Sequence, residues 1–279
     1  MPGSQPRRTS FVVLCIGLLA VTADMAIVEL RVPGLYHAIA AVQVSVLILS
    51  AWMLGARAIF RGADQRRTLA LAGALLVLPW MLLALLPGVG RPDQASLPDN
   101  ETRYVILLLD TIAVGCGLVF LREALVQAGE RFHSTLGMAA ALIATPLYLV
   151  WGAIMHLQCV EAERAGSGPL PAGMVPLSEL SDTLLFLGGA LTYVATAAFA
   201  LSMSKASWIG RWATRTFVTL NLVALVCLAI RGLEFPDPKV AFVHAYTIPG
   251  WVVGIPAVPW MMPCVIGALL LRRAGDERA

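Results

Sequence analysis

Long apolar runs restrict this chain more than any other feature. A helix that crosses a bilayer needs roughly 20 mostly apolar residues. About eight such runs are present, near 11–30, 35–59, 68–89, 103–122, 137–159, 180–203, 213–233 and 248–271. Charged or Pro/Gly-rich pieces separate them, among them Arg61–Arg67, Gly90–Asp93 and Glu234–Lys239. Pro and Gly interrupt helices for backbone reasons, so these breaks have a mechanism. The fold class expected is an all-α, polytopic membrane helix bundle, with all 279 residues in one transmembrane domain. Composition agrees: 58% of residues are apolar and 13% charged, against about 45–50% and about 25% in soluble domains. A soluble enzyme and a disordered chain are both excluded on this ground.

The first run has a second reading. Arg7 and Arg8 precede it, and Val21-Thr22-Ala23 resembles a signal-peptidase site. Cleavage there would leave seven spans in unchanged orientation.

Basic residues set that orientation. With the N-terminus inside, fourteen Lys and Arg fall on the cytoplasmic side and six on the outer side. Both termini are therefore expected in the cytoplasm. The net charge of +3 is a topology signal and points to no nucleic-acid surface. Eighteen Arg against two Lys, with abundant Ala, Gly and Leu, suggest a GC-rich bacterial genome and the bacterial cytoplasmic (inner) membrane. The expected partner is the lipid bilayer, with a homo-oligomer or membrane-complex partner as a further option.

The loops are too short for a nucleotide-binding domain, and no Gly-rich phosphate loop is present. No G-x-S-x-G, H-E-x-x-H or histidine-box pattern marks an enzyme. Of five cysteines, Cys15, Cys116, Cys227 and Cys264 fall in spans and only Cys159 lies near the outer surface. A structural disulfide has little support. Asn100-Glu101-Thr102 matches a glycosylation sequon.

A weak repeat is visible. His37-Ala38, Asp110-Thr111, Asp182-Thr183 and His244-Ala245 begin the even-numbered spans, at intervals of 73, 72 and 62 residues. It reads either as descent from duplicated hairpins or as acids favoured at helix N-termini.

Ionisable residues inside a membrane are functional candidates by default. Asp24 and Asp110 are expected at similar depth in the outer half, with Asp110 roughly 10 Å below the start of its helix. Together with Arg231, His37 and His156 they outline an outward-facing polar pocket for a proton, an ion or a small solute. The structural alternative pairs the acids with Arg31, Arg103 or Arg231; Arg103 and Asp110 are seven apart and share a helix face. Glu29, Asp182 and His244 are expected near the interface in solvated or capping roles, and His133 in solvent on the inner side. No cofactor is the leading expectation. Haem or another metal would use His37 and His156, with Cys159 one helical turn from His156.

Pro249, Pro256, Pro259 and Pro263 interrupt the eighth run, which Trp251 and Trp260 flank. It reads as a broken helix lining a path or as a kinked packing helix with Trp at an interface. Gly188, Thr192 and Thr196 form a small stripe for close helix approach. Thr216, Thr219 and Asn221 make a polar inner half of the seventh span, facing neighbours. The function expected is a small transporter or permease-like protein. The alternatives are a membrane redox or haem subunit and a sensor or scaffold subunit.

Overall fold

A computed structural model describes residues 4–26, 35–86, 95–166, 171–231 and 258–276. Among them every regular element is helical. Helix α1 spans Ser4–Ala26, α2 Leu35–Ala51, α3 Ala58–Arg61, α4 Asp64–Leu83 and α5 Leu97–Gln127. Next come α6 at Phe132–Ala165, α7 at Met174–Lys205, α8 at Arg211–Arg231 and α9 at Met261–Gly275. A π turn, Trp52–Ala56, joins α2 to α3, and a single 3₁₀ turn, Val258–Trp260, leads into α9.

Six stretches are long and apolar enough to cross a membrane: His37–Arg61, Asp64–Leu83, Leu97–Gln127, Phe132–Ala165, Pro176–Lys205 and Arg211–Ala229. They coincide with the second to seventh runs of the sequence. The apolar part of α1, Arg8–Val21, is shorter. The first half of the eighth run, 248–257, lies outside the described residues, as do Trp251, Pro249, Pro256 and His244. Val21-Thr22-Ala23 sits within the continuous helix α1.

Helices α4 to α8 pack in sequence, each against the next. Consecutive elements are usually neighbours in space, and these follow that order. Helix α9 does not continue the series; its main partner is α4, and it also meets α1, the π turn and α7. The bundle turns its large side chains outward. Val12, Ile16, Leu49, Leu142, Val150 and Val223 are among many that are about half or more exposed. Such a surface suits lipid, where Leu and Val gain nothing by hiding. The interior mixes small residues, including Ala70, Ala72, Ala195, Ala200 and Ala268, with large ones such as Trp80, Tyr104, Tyr148, Phe199 and Trp260.

Glycine makes the α9 seam possible. A Cβ on Gly73 would stand 2.8 Å from the Gly267 carbonyl oxygen, and one on Gly267 2.8 Å from that of Gly73. A Cβ on Gly55 would overlap the Leu271 carbonyl oxygen, and one on Gly275 the Leu54 carbonyl oxygen. Backbone therefore rests on backbone at both places. Arg66 seals the same end, with Nε and Nη2 donating to the Ala274 carbonyl at 3.2 and 3.1 Å. A cation on the last carbonyls of α9 also meets the negative end of its dipole.

Three helix ends carry a residue of positive φ, Gly166 after α6 among them, and the other two close alike. Gly129 (φ 86°) follows α5, with Glu130 N donating to the Leu125 carbonyl at 3.0 Å. Ser207 (φ 58°) follows α7, with Trp208 N donating to the Met203 carbonyl at 2.8 Å. Both are Schellman closures. The bundle end that holds them also holds Arg61, Arg66, Arg67, Arg131, Lys205, Arg211, Arg272 and Arg273, and is called the basic end below.

Gly275→Ala is expected to lower stability by about 3 kcal/mol or more, because a backbone atom cannot yield as a side chain does. At Gly210 an added Cβ would meet nothing within 4 Å, so this position serves as the control. Gly210→Ala leaves the thermal midpoint in detergent nearly unchanged.

Candidate functional site

Asp110 is the one buried carboxylate on the helices described. Its side chain is 0% exposed, and neither oxygen has a hydrogen-bond partner among the described residues. Its depth differs from expectation. Helix α5 starts at Leu97, six residues earlier than the apolar run, because Ser96 caps it: Oγ accepts from Asp99 N and donates to Asp99 Oδ2 at 2.7 Å. Ser96-Leu97-Pro98-Asp99 is a capping pattern visible in the sequence. Asp110 thus lies thirteen residues into a 31-residue helix, roughly 20 Å from its start. It sits at the middle of the bundle and not near its rim.

Register identifies what it faces. A Cβ on Gly117 of α5 would stand 2.8 Å from Leu76 of α4. Asp110 lies seven residues, or two turns, from Gly117 on the same face. The helices are antiparallel neighbours, so Asp110 looks across at the turn of α4 that holds Trp80 and Leu83. The Trp80 side chain is 2% exposed, and its Nε1 has no hydrogen-bond partner among the described residues. A buried acceptor without a donor on α5 and a buried donor without an acceptor on α4 thus lie on neighbouring helices, Trp80 standing two turns from the Gly73 that rests on α9. Buried polar atoms ordinarily find partners, so each exception asks for a reason.

Next to Asp110, Thr111 lines a small cleft between α5, α6 and α7. Thr145, Tyr148, Thr192 and Trp260 line it as well, and its cavity volume is about 10 Å³, room for about one water. The Trp260 and Tyr148 rings pack at 5.3 Å between centroids. Trp260 is 1% exposed, so it is a core residue and not the interfacial one expected. Gly188 leaves room for the Tyr148 ring, 3.1 Å from where a Cβ would be. Thr192 and Thr196 are buried and donate to carbonyls one turn back, at 2.8 and 2.7 Å. The small stripe of α7 thus serves close packing, as expected.

Other expected members stand elsewhere. Arg103 does not pair with Asp110; its Nη1 donates to Asn100 Oδ1 at 2.7 Å, and it stands with Tyr104 beside Cys159. Seven residues are two turns, so the shared face alone does not bring the two side chains together. Asn100 is 3% exposed and its Nδ2 reaches the Ala95 carbonyl, so the acceptor side chain of the sequon is buried while Glu101 and Thr102 are exposed. His37 is exposed on α2 and His156 half-buried on α6. Helix α2 packs on α1, the π turn and α4, whereas α6 packs on α5 and α7, so the two histidines are not brought together. The side chains of Asp24 and Arg231 lie outside the described residues, as do Glu29 and Arg31. Asp182 is half-buried eight residues into α7, closer to its helix start than Asp110 is. The apparent repeat therefore does not put the two acids at equal positions in their helices. All five cysteines are free, and among the described residues no group of three His, Cys, Asp or Glu gathers to hold a metal.

Thr216 and Thr219 are exposed on α8, and Thr216 donates to the Trp212 carbonyl of its own helix. Of the three, only Asn221 turns inward, and its Nδ2 donates to Phe217 O at 2.7 Å. Threonine satisfies its hydroxyl on the preceding turn, so it needs no neighbouring helix.

His133 is not simply solvated. Glu130, in the turn before α6, accepts from the backbone N–H of His133 and Ser134 at 3.1 and 3.2 Å. It also meets His133 Nδ1 at 3.0 Å and accepts from Ser202 Oγ of α7. Partial burial pushes the Glu130 carboxyl up, but the hydrogen bonds from Ser202, His133 and Ser134 outweigh it and hold the group at about 2. One carboxylate thus caps α6 and ties it to α7.

Comparison with protein-family models, with curated proteins and with solved structures finds no match to this chain.

A carboxyl held below its ordinary value stabilises the fold only while ionised. That contribution is present above the usual 4.5 and fades as pH falls toward about 2. Glu130→Gln is expected to cost about 1–2 kcal/mol at neutral pH. The difference from the native chain should shrink in melts taken below pH 4.5.

Proposed function

We propose that this chain is a small proton-linked membrane carrier in which Asp110 binds and releases the coupling proton. The observation that supports it is the Asp110 carboxyl, buried without a hydrogen-bond partner midway along α5, with the unpartnered Trp80 indole on the neighbouring α4 and the threonine-lined cleft next to it. A charge held without water or a partner in such a place is costly. That cost links the charge of Asp110 to whether the α4–α5 seam is closed or open. A coupling site needs such a link between its protonation and the opening of the seam. When the seam opens, the Trp80 N–H is an unpartnered donor on the neighbouring helix for the ionised carboxylate. The cleft by Thr111, Tyr148 and Thr192 would have to widen to admit a small polar solute, and the Tyr148 hydroxyl would then meet it.

The same reading carries the topology. Eight spans with both termini in the cytoplasm put the basic end inside, following the positive-inside rule, and the bacterial cytoplasmic membrane suits the arginine-rich composition.

Proton entry into vesicles tests the proton site. Purified chain is reconstituted with an internal pH dye, and a potassium diffusion potential is imposed. Protein-dependent acidification is expected. It should fall to the level of empty vesicles in Asp110→Asn and be reduced in Trp80→Phe. Asp110→Asn should stay within about 1 kcal/mol of native stability, because the amide replaces an acid that has no partner to lose. No acidification by the native protein, or an Asn variant that folds and still acidifies the vesicles at the native rate, would overturn the assignment.

Reporter fusions test the topology. Green fluorescent protein fused after Ala279 should fluoresce and alkaline phosphatase there should be inactive; the reverse pattern would invert the bundle.

A further inference from the structure

The turn between α7 and α8 gathers cations and aromatic rings without acids. From Thr183 to Leu233 the sequence contains no Asp or Glu. The turn is tight, closed by Trp208 N on the Met203 carbonyl and by Ser207 in the left-handed region. It holds Lys205, Arg211 and Arg215 close along the surface, all three exposed. None of them has a carboxylate partner among the described residues. At this end Glu130 is committed to Ser202, His133 and Ser134, and Asp276 follows Arg273, whose guanidinium stacks on Trp208 of the turn.

Trp212 adds a second observation. It is 79% exposed, the most open large apolar side chain among the described residues. The Arg215 guanidinium stacks on its ring at 5.4 Å. An indole with an apolar body and a polar edge prefers the headgroup layer of a bilayer. An arginine stacked by its face keeps its N–H edge open, and that edge matches the oxygens of a phosphate. Helix α8 is also the least covered of the six long apolar helices, with 22% of its apolar window buried. Lipid therefore has direct access to this corner.

We infer that the α7–α8 turn is a docking site for an anionic phospholipid, with Trp212 in the headgroup layer and Lys205, Arg211 and Arg215 on the phosphates. A basic side chain near an anionic surface favours it by about fivefold. Three of them, acting together, select an anionic headgroup over a zwitterionic one. This site is separate from Asp110 and holds whether or not the chain carries protons.

Native mass spectrometry of the full chain from detergent tests it, using equal amounts of phosphatidylglycerol and phosphatidylcholine. Preferential retention of phosphatidylglycerol is expected. The triple variant Lys205→Gln, Arg211→Gln, Arg215→Gln should lower that preference by roughly tenfold or more. Arg57→Gln with Arg61→Gln, exposed at the same end, should keep it. All five side chains are exposed, and a thermal melt confirms that each variant folds. Three results would overturn the inference: equal retention of both lipids, a preference that survives the triple variant, or equal loss in the Arg57 and Arg61 control. Inorganic phosphate is the fourth arm. If it raises the melting midpoint as much as phosphatidylglycerol does, the site takes soluble anions and the lipid assignment fails.

Discussion

The contact of α9 with α4 and with the π turn holds this bundle in its present form. Four glycines allow it. Gly73 and Gly267 let two helices touch at the backbone, and Gly55 and Gly275 do the same where α9 ends. Helices in lipid are not driven together by the hydrophobic effect, since Leu is as comfortable facing lipid as facing protein. Close van der Waals contact must supply the attraction, and only small residues permit it. Breaking the helix at Gly55 is part of the same arrangement. The π turn sets the α2–α3 segment against the last turn of α9, where Arg66 covers the open carbonyl of Ala274.

Placing α9 there organises the middle of the molecule. Trp260 enters from its start and packs on Tyr148, which in turn fills the space over Gly188. Helix α4 is then held between α9 and α5, and its Trp80 and the Asp110 of α5 are both buried. Asp110 is therefore isolated by the packing of other residues. Nothing in its own neighbourhood of sequence makes it so. The polar groups at the two ends are settled differently: Glu130 collects three donors, and Arg103 finds Asn100. An end residue can choose among loops, caps and water, whereas a mid-helix residue has only the facing helices.

Much of this is open to reading from residues alone. The six long helices follow from apolar length, and their ends from Ser96, Gly129 and the charged breaks. The small stripe at Gly188, Thr192 and Thr196 is legible because its spacing is helical. Asp110 stands out as an acid in an apolar run. Its depth does not follow from that run, because the cap at Ser96–Asp99 starts the helix before the apolar residues begin. Pairing with Arg103 fails because a shared face over two turns still separates the side chains. The role of Trp80 is hidden, since an indole in an apolar run looks like any other core residue until its N–H is found without a partner. Glu130 and His133 look like loop residues, because a cap that reaches another helix depends on which helix is near.

Helicity, the membrane-length apolar stretches and the acid within α5 are all written in the order of the residues. Those features are local: they depend on runs of side chains and on which residues start and stop a helix. The return of α9 to α4, the burial of Trp260 and the burial of Asp110 and Trp80 without hydrogen-bond partners arise only in the assembled bundle. Each of those depends on contacts between residues far apart in the chain. A glycine permits such a contact by having no side chain, and the absence of a side chain does not say which backbone will fill the space.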